Sequence, residues 1–579
     1  MKLIEALEII RRKQRVEAQA FRVGLVCGFT PLHIQTFLNA HLQLVLPERR
    51  VEVSPGLYGD FWGNLGSLER ADYDAFAVVM EWSDLDPRLG FRSLGSWAPS
   101  ALADILGNAR ARAAQFEETI QRVSRKIPLT ICFPTLPLPP ISFCPSWQAS
   151  RFDIELRACV SAMSLAAAQL ANVRIVNPQR LDQLSPLASR LDVKAELVSG
   201  FPYKLSHAST VAELMSLMIQ RPSPKKGLIT DLDDTLWNGI LGELGVEGVS
   251  WDLEHHSQMH GVYQRLIHSL SEAGVLVGVA SKNDPKLVGE ALARSDLLLP
   301  QDALFPVEAH WGAKSGSVTH ILKVWNIGAD SVVFIDDSPM ELAEVKATHP
   351  DVECILYPKD DPQAVDELLR GLRDLFGKAT LSEEDAIRRE SIRQATIYET
   401  NEGRDNDTAR DFLKHADAEI TINFSKNPLD PRALELVNKT NQFNLNGIRH
   451  TETSWQEYFN QPETFLLIAS YRDKYGPLGK IAVLAGQKVD RVLHVNVWVM
   501  SCRAFSRRIE HRCLQELFER YNVEAIEFNY ESTLKNAPLG EFLAEMLDES
   551  PTQQCRLSRD SFFKRWTETF HRVMEISNG

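Results

Sequence analysis

Short apolar runs that stop abruptly at acidic or hydroxyl side chains constrain this chain more than any other feature. In GLITDLDDTLWNGILGE (227–243), the run Leu228–Thr230 ends in Asp231, Leu232, Asp233 and Asp234. VLVGVASKND ends its run at Ser281, and SVVFIDDSP ends in Asp336 and Asp337. Helix-like segments around 255–273, 285–295 and 315–325 separate the runs, which predicts a parallel α/β domain. Strands of a parallel sheet share one carboxyl edge, and ligands bind there. The spacing therefore predicts that Asp231, Asp233, Ser281, Asp336 and Asp337 converge, although about a hundred residues separate the first from the last.

Such a cluster needs a positive partner. Two carboxylates about 4 Å apart repel by roughly 1–4 kcal/mol, depending on the local dielectric. HWGAKSG places one cation, Lys314, in a loop before a helix. Oxygen ligands of this kind suit Mg²⁺, which would relieve the repulsion. Metal, lysine and serine hydroxyl together describe a phosphoryl-transfer site in which one aspartate attacks. The alternative is an acidic loop that is merely solvated.

The order of these motifs resembles the haloacid dehalogenase (HAD) superfamily. DLDDT matches its DxDx[TV] signature, and Ser281, Lys314 and Asp336–Asp337 match its second, third and fourth motifs. The resemblance implies that Asp231 is the nucleophile and that Asp233 is general acid, then general base. It implies that Thr235 supports the loop on the substrate side and that Ser281 and Lys314 hold the phosphoryl group. Asp231, the main-chain carbonyl of Asp233, and Asp336 would bind Mg²⁺, with Asp337 assisting. Asp234 reads equally as a solvated turn residue or as an outer support, and Trp237 reads as packing. Motifs one and two are 50 residues apart and motifs two and three 33, which leaves no room for a large cap domain.

The remaining sequence sets the context. At 579 residues the chain is too long for one ordinary core, and three domains are expected: 1–220, 221–378 and 379–579. RPSPKK (221–226) reads as a linker. A net charge of −14 argues against broad nucleic-acid binding. Eight cysteines without a CxxC pair fit a reducing cytoplasm, and no apolar run reaches transmembrane length. The stretch 379–412 is rich in charge and is expected to be a solvated helix and loop. Beyond it, runs at 419–424, 465–470, 479–485 and 492–499, a helix at 506–520 and a strand at 524–529 predict an α+β domain with a mostly antiparallel sheet.

In that last third, VNVWVMSCRAFSRRIEH puts Cys502 after a strand, beside Arg503 and before a helix. A thiol there is either an activated nucleophile or a small buried hydrophobe. The set DLDDTLWNGILGE, SKND, HWGAKS, NKTNQFN, YGPLG and WVMSCR, in this order, resembles the FkbH-like proteins of polyketide biosynthesis (HAD subfamily IIIC). That resemblance implies a bifunctional glyceryltransferase/phosphatase. Such an enzyme dephosphorylates 1,3-bisphosphoglycerate and loads D-glyceryl onto the phosphopantetheine arm of an acyl carrier protein. It implies a GNAT-like C-terminal domain, Cys502 as the acyl-holding thiol, and Asn441 and Arg503 as substrate contacts. Arg503, Arg507, Arg508 and Arg512 offer a positive patch for an acidic carrier, or else form an ordinary solvated helix face.

The N-terminal third resembles SGNH-type hydrolases only loosely. FRVGLVCGFT carries Cys27, Gly28, Phe29 and Thr30 where Gly-Asp-Ser is expected, and EWSDLD replaces Gly-x-Asn-Asp. His207 alone hints at a late catalytic histidine. The expectation is an α/β domain with lost or altered chemistry. Competing readings of the whole chain are a plain Mg²⁺ phosphatase and a non-catalytic carrier-binding scaffold.

Overall fold

The computed structural model describes residues 1–13, 18–67, 73–93, 98–379, 381, 385, 417–426, 429–440, 443–474, 476–501, 504, 507–533, 536–547, 551–566 and 570–576. The charged stretch expected as a helix over 379–412 lies outside the described residues except at 379, 381 and 385. Two compact units are present, Met1–Pro222 and Ser223–Gly579.

In the first unit, β1 (Ala20–Cys27), β2 (Arg50–Pro55), β3 (Ala75–Val79), β4 (Leu129–Cys132) and β5 (Val173–Ile175) form one sheet in the order β2-β1-β3-β4-β5. Every pair is parallel. The central strands are apolar on both faces because helices cover both. Val23 and Leu25 face a core with Phe37, Val211 and Met215. Phe76 and Val78 face the opposite one with Phe116 and Ile120.

The carboxyl edge of this sheet is filled rather than open. A Cβ on Gly28 would meet Asp84 Oδ1 at 1.8 Å, so the carboxyl occupies the space a side chain after β1 would need. Glu81 is buried and accepts from Tyr203 Oη at 2.6 Å, Thr135 Oγ1 at 2.7 Å and Thr135 N at 3.1 Å. His207 is fully buried, with Nε2 3.0 Å from Thr135 Oγ1 and Nδ1 2.9 Å from Ser185 Oγ. Burial, helped by the Arg190 charge, pushes its imidazole down to about 3. The hint of a catalytic histidine is therefore corrected: both ring nitrogens are engaged inside the core, and the ring ties three segments together.

In the second unit, β6 (Gly227–Thr230), β7 (Leu276–Ser281), β8 (Leu304–Ala309), β9 (Val332–Asp336) and β10 (Glu353–Leu356) form a parallel sheet in the order β10-β9-β6-β7-β8. Alternate residues supply two cores. Leu228, Val277 and Ile335 pack with Tyr263 and Ile267, whereas Ile229, Ala280 and Phe334 pack with Val318, Ile321 and Trp325. The strand order reverses between β6 and β9, and that switch point is where an open α/β sheet leaves a crevice at its carboxyl edge. Between β6 and the helix Gln258–Glu272 the chain makes only a short elaboration, held down by buried Trp237, Leu241, Val249 and Trp251.

The rest of this unit builds a mixed sheet from β11 (Ala418–Asn423), β12 (Thr464–Asp473), β13 (Gly476–Val489), β14 (Val492–Met500), β15 (Ala525–Asn529), β16 (Gln554–Ser558) and β17 (His571–Ile576). The order is β16-β15-β14-β13-β12-β11-β17, with parallel pairs β14–β15 and β11–β17 and the remaining pairs antiparallel. Parallel pairing of β14 with β15 runs from Val492↔Ala525 to Val495↔Phe528 and then stops. Beyond that fork the segment Phe443–Asn446 takes over. Leu445 N donates to Trp498 O at 2.9 Å, Met500 N to Phe443 O at 3.0 Å, and Glu531 N to Leu445 O at 3.0 Å. Asn446 Nδ2 bridges the fork itself, donating to Asn496 O at 2.9 Å and Asn529 O at 3.2 Å.

Candidate active site

The crevice between β6 and β9 holds the acidic residues. Asp231 follows β6 directly, and its N–H donates to Ile335 O at 2.9 Å, continuing the ladder and fixing it beside Asp336, the last residue of β9. Lys314 opens the helix Lys314–Trp325, and its Nζ lies 2.6 Å from Asp336 Oδ2 and 3.0 Å from Asp231 Oδ1. All three are buried. Ser338 N donates to Asp336 Oδ1 at 2.9 Å.

These charges are unbalanced. Burial pushes the Asp231 carboxyl up to about 7; Lys314 opposes the rise and Asp336 adds to it. Burial also raises Asp336, again against the pull of Lys314. Burial by itself would lower Lys314, but the two aspartates outweigh it and hold the ammonium up. With both carboxylates ionised, one buried cation between them leaves the pocket net negative.

Oxygens of Asp231, Asp336 and half-buried Asp337 all lie within 4.8 Å of one another. The set is all carboxylate, without sulfur or imidazole, which suits a hard divalent cation such as Mg²⁺. The Asp233 carboxylate is not in this group. It turns instead into a set of donors: Trp237 Nε1 at 3.0 Å and Leu241 N at 3.1 Å on Oδ1, and Asn283 Nδ2 at 2.9 Å on Oδ2. The same Asn283 amide reaches Ser281 Oγ at 3.2 Å, so motif two is joined to Asp233 through one side chain.

Thr235 requires a correction. It is fully buried, and its carbonyl accepts from His260 Nδ1 at 2.9 Å. From inside the turn it supports the loop and does not face a substrate. Asp234, left open between two roles, has a positive φ of 53° and pairs with Lys359 at 2.6 Å, while Gly239 N donates to its Oδ1 at 2.8 Å. Lys359 also reaches Asp337 Oδ2 at 2.8 Å.

Lys359, Asn283 and the Trp237 indole N–H are the residues that motif reading missed. Asn283 sits inside SKND, where an amide after a strand reads as a turn; Lys359 lies in no motif.

Cys502, Arg503 and Asn441 lie outside the described residues. Their described neighbours are joined, since Met500 N bonds to Phe443 O at 3.0 Å and Ala504 N to Ser501 O at 2.9 Å. The expected positive patch is corrected in part. Arg507 is only 2 % exposed, with Nε 3.7 Å from Asp473 Oδ2 and its guanidinium 5.6 Å from the Tyr471 ring centre. Arg512 is largely buried and paired with Glu516. Of the two arginines that follow Phe505-Ser506, only Arg508 reaches the surface. Arg507 lies just before the helix Ile509–Tyr521, which packs Ile509 and Cys513 inward, and it is drawn into the core with them.

No family model matches the chain, and no curated protein matches it. Among solved structures, the N-terminal part of the protein BF1531 from Bacteroides fragilis, containing a phosphatase domain and complexed with Mg, is similar. It is 19 % identical over 66 % of this chain and 100 % of its own, with a TM-score of 0.53. The two share a fold. A protein from Corynebacterium glutamicum is 14 % identical over 27 % of this chain and 98 % of its own, at a TM-score of 0.19, too low to carry weight. The shared architecture is α/β with parallel, Rossmann-like sheets. Among the described residues no helix is long and apolar enough to cross a membrane.

Proposed function

We propose that the chain is a Mg²⁺-dependent HAD-type phosphatase coupled to transfer of a glyceryl unit from 1,3-bisphosphoglycerate to an acyl carrier protein. The observation that carries the phosphatase half is Lys314 held between Asp231 and Asp336 at the switch point of a parallel sheet. The Mg-bound phosphatase domain of similar fold supports it. The transferase half rests on the motif resemblance and on Cys502.

The chain's own groups define the phosphatase steps. An Asp231 oxygen attacks phosphorus, the ester P–O bond breaks, and the leaving oxygen takes a proton from Asp233. Water then attacks phosphorus, Asp233 accepts its proton, and the bond to Asp231 breaks to free phosphate. Lys314 and Ser281 hold the phosphoryl oxygens, and a bound Mg²⁺ would spread the charge that develops on them. Asp233 Oδ1 already accepts two N–H groups, whereas Oδ2 accepts one, so Oδ2 is the atom with room for the travelling proton. In the transferase half, a thiolate at Cys502 would displace the 1-phosphate of the acyl phosphate as a thioester forms. Exchange onto the carrier's thiol then regenerates the cysteine.

One experiment tests both halves. The protein is mixed with 1,3-bisphosphoglycerate, Mg²⁺ and phosphopantetheinylated carrier, and intact masses are recorded. Glyceryl on the carrier is expected, lost in Cys502→Ser, with phosphate monoester cleavage lost in Asp231→Asn. Phosphate release without acylation would reduce the reading to a plain phosphatase, and no turnover of any phosphate ester would favour a scaffold. Wild-type loading by Cys502→Ser would remove the thiol assignment.

A further inference from the structure

The aspartate that ends the fourth motif is held by a cation that comes from outside all four motifs. Tyr357 follows β10; its N–H donates to Asp336 O at 2.8 Å, and its buried ring lies 5.1 Å from His260 and 5.2 Å from Tyr263, centre to centre. That anchor returns the chain over the end of β9, and Lys359, two residues on, reaches both Asp337 Oδ2 at 2.8 Å and Asp234 Oδ2 at 2.6 Å. Asp234 is itself fixed by Gly239 N, so the lysine is held from the far side. Lys359 thus ties the motif-one turn to the motif-four pair.

The consequence concerns how many oxygens the pocket can give. Lys359 holds Asp337 Oδ2, which leaves Oδ1 to turn toward an ion. Asp336 is held in orientation by Ser338 N on Oδ1 and by Lys314 on Oδ2. Ca²⁺ takes 6–8 oxygens and readily uses bidentate carboxylates, whereas Mg²⁺ prefers six, one per carboxylate, with waters completing the octahedron.

We propose that Lys359 is a positioning residue that makes the site select Mg²⁺ over Ca²⁺ by denying Asp337 bidentate coordination. This rests on the reading of the pocket as a divalent-ion centre. It is tested by titrating MgCl₂ and CaCl₂ separately into the full-length protein by calorimetry. In Lys359→Met the Ca²⁺ affinity relative to Mg²⁺ rises several-fold, because Asp337 Oδ2 is freed to join Oδ1 on the larger ion. Lys359→Gln gives the same shift, so poor folding of either variant leaves the test in place. Lys359→Arg keeps a cationic donor and the wild-type ratio. Unchanged ratios in the methionine and glutamine variants, with both ions bound by wild type, would overturn the role of Lys359 and leave the ion site standing. An equal shift in the arginine variant would also overturn it. Failure of the wild type to bind either ion would overturn the ion site together with this inference.

Discussion

The Asn283 side chain donates to Asp233 Oδ2 at 2.9 Å. This single contact orients Asp233, the proposed general acid, from the motif-two side, while Trp237 and Leu241 N hold the other oxygen. A hydrogen bond to a charged acceptor contributes about 1.5–3 kcal/mol. Asn283→Ala is therefore expected to lower turnover roughly 10- to 100-fold for alkyl phosphates, whose leaving oxygen needs the proton. It should lower turnover far less for p-nitrophenyl phosphate, whose leaving group departs unaided. Trp237→Phe should show the same split in milder form. Equal losses on both substrates would mean that these residues serve folding only.

Removal of Lys314 isolates two buried carboxylates. Breaking a buried ion pair by deleting one partner typically costs about 3–5 kcal/mol. Lys314→Met should therefore melt well below wild type in chelator. Divalent cations should recover much of the loss, because the ion supplies the missing charge between Asp231 and Asp336. Thermal melts of both proteins with and without MgCl₂ check this. A deficit of the same size in both conditions would show that the loss comes from packing of the lysine stem.

What the sequence revealed follows from chemistry that is local to a strand end. Asp231, Ser281 and Asp336 each directly follow or end an apolar run, so the common edge was legible from period and order alone. Lys359 was not, because its position depends on a main-chain bond from Tyr357 to Asp336 that no local pattern encodes. Arg507 misled for the opposite reason: charge near a helix start reads as surface, yet Asp473 and Tyr471 enclose it. The strands β16 and β17 escaped notice because they are the edge strands of the sheet. Their partners, β15 and β11, are set by the tertiary fold and not by neighbouring sequence.

The fork between β14 and β15 gives a stability test away from the acidic pocket. Asn446 is the donor for two main-chain carbonyls, at Asn496 and Asn529, where the strands part. Each hydrogen bond lost contributes about 0.5–1.5 kcal/mol, so losing both costs about 1–3 kcal/mol. Asn446→Ala should lower the denaturation midpoint accordingly, while Asn446→Asp, which keeps the shape but replaces the donor by an acceptor, should be worse. An Asp variant as stable as wild type would show that the carbonyls find other donors.

Asp84 makes the first unit sensitive to pH in a direction that can be worked out. Burial pushes its carboxyl from 3.8 up to about 8, with the nearby Glu81 charge adding to the rise and the Glu81 N–H opposing it. Between about pH 4 and pH 8 the folded form keeps a proton that the unfolded form has released. Stability then falls as pH rises through this window, since the folded state binds more protons. Asp84→Asn, which cannot ionise, should flatten that fall, so its advantage over wild type grows from mildly acidic to mildly alkaline buffer. Urea melts of the full chain at several pH values measure the difference. The same carboxyl stands where a side chain at position 28 would lie, so Gly28→Ser alone should destabilise the unit, and Asp84→Ala should relieve it in the double variant. If Gly28→Ser is harmless on its own, or the two changes simply add, the carboxyl does not fill that space and the pH argument loses its geometric basis.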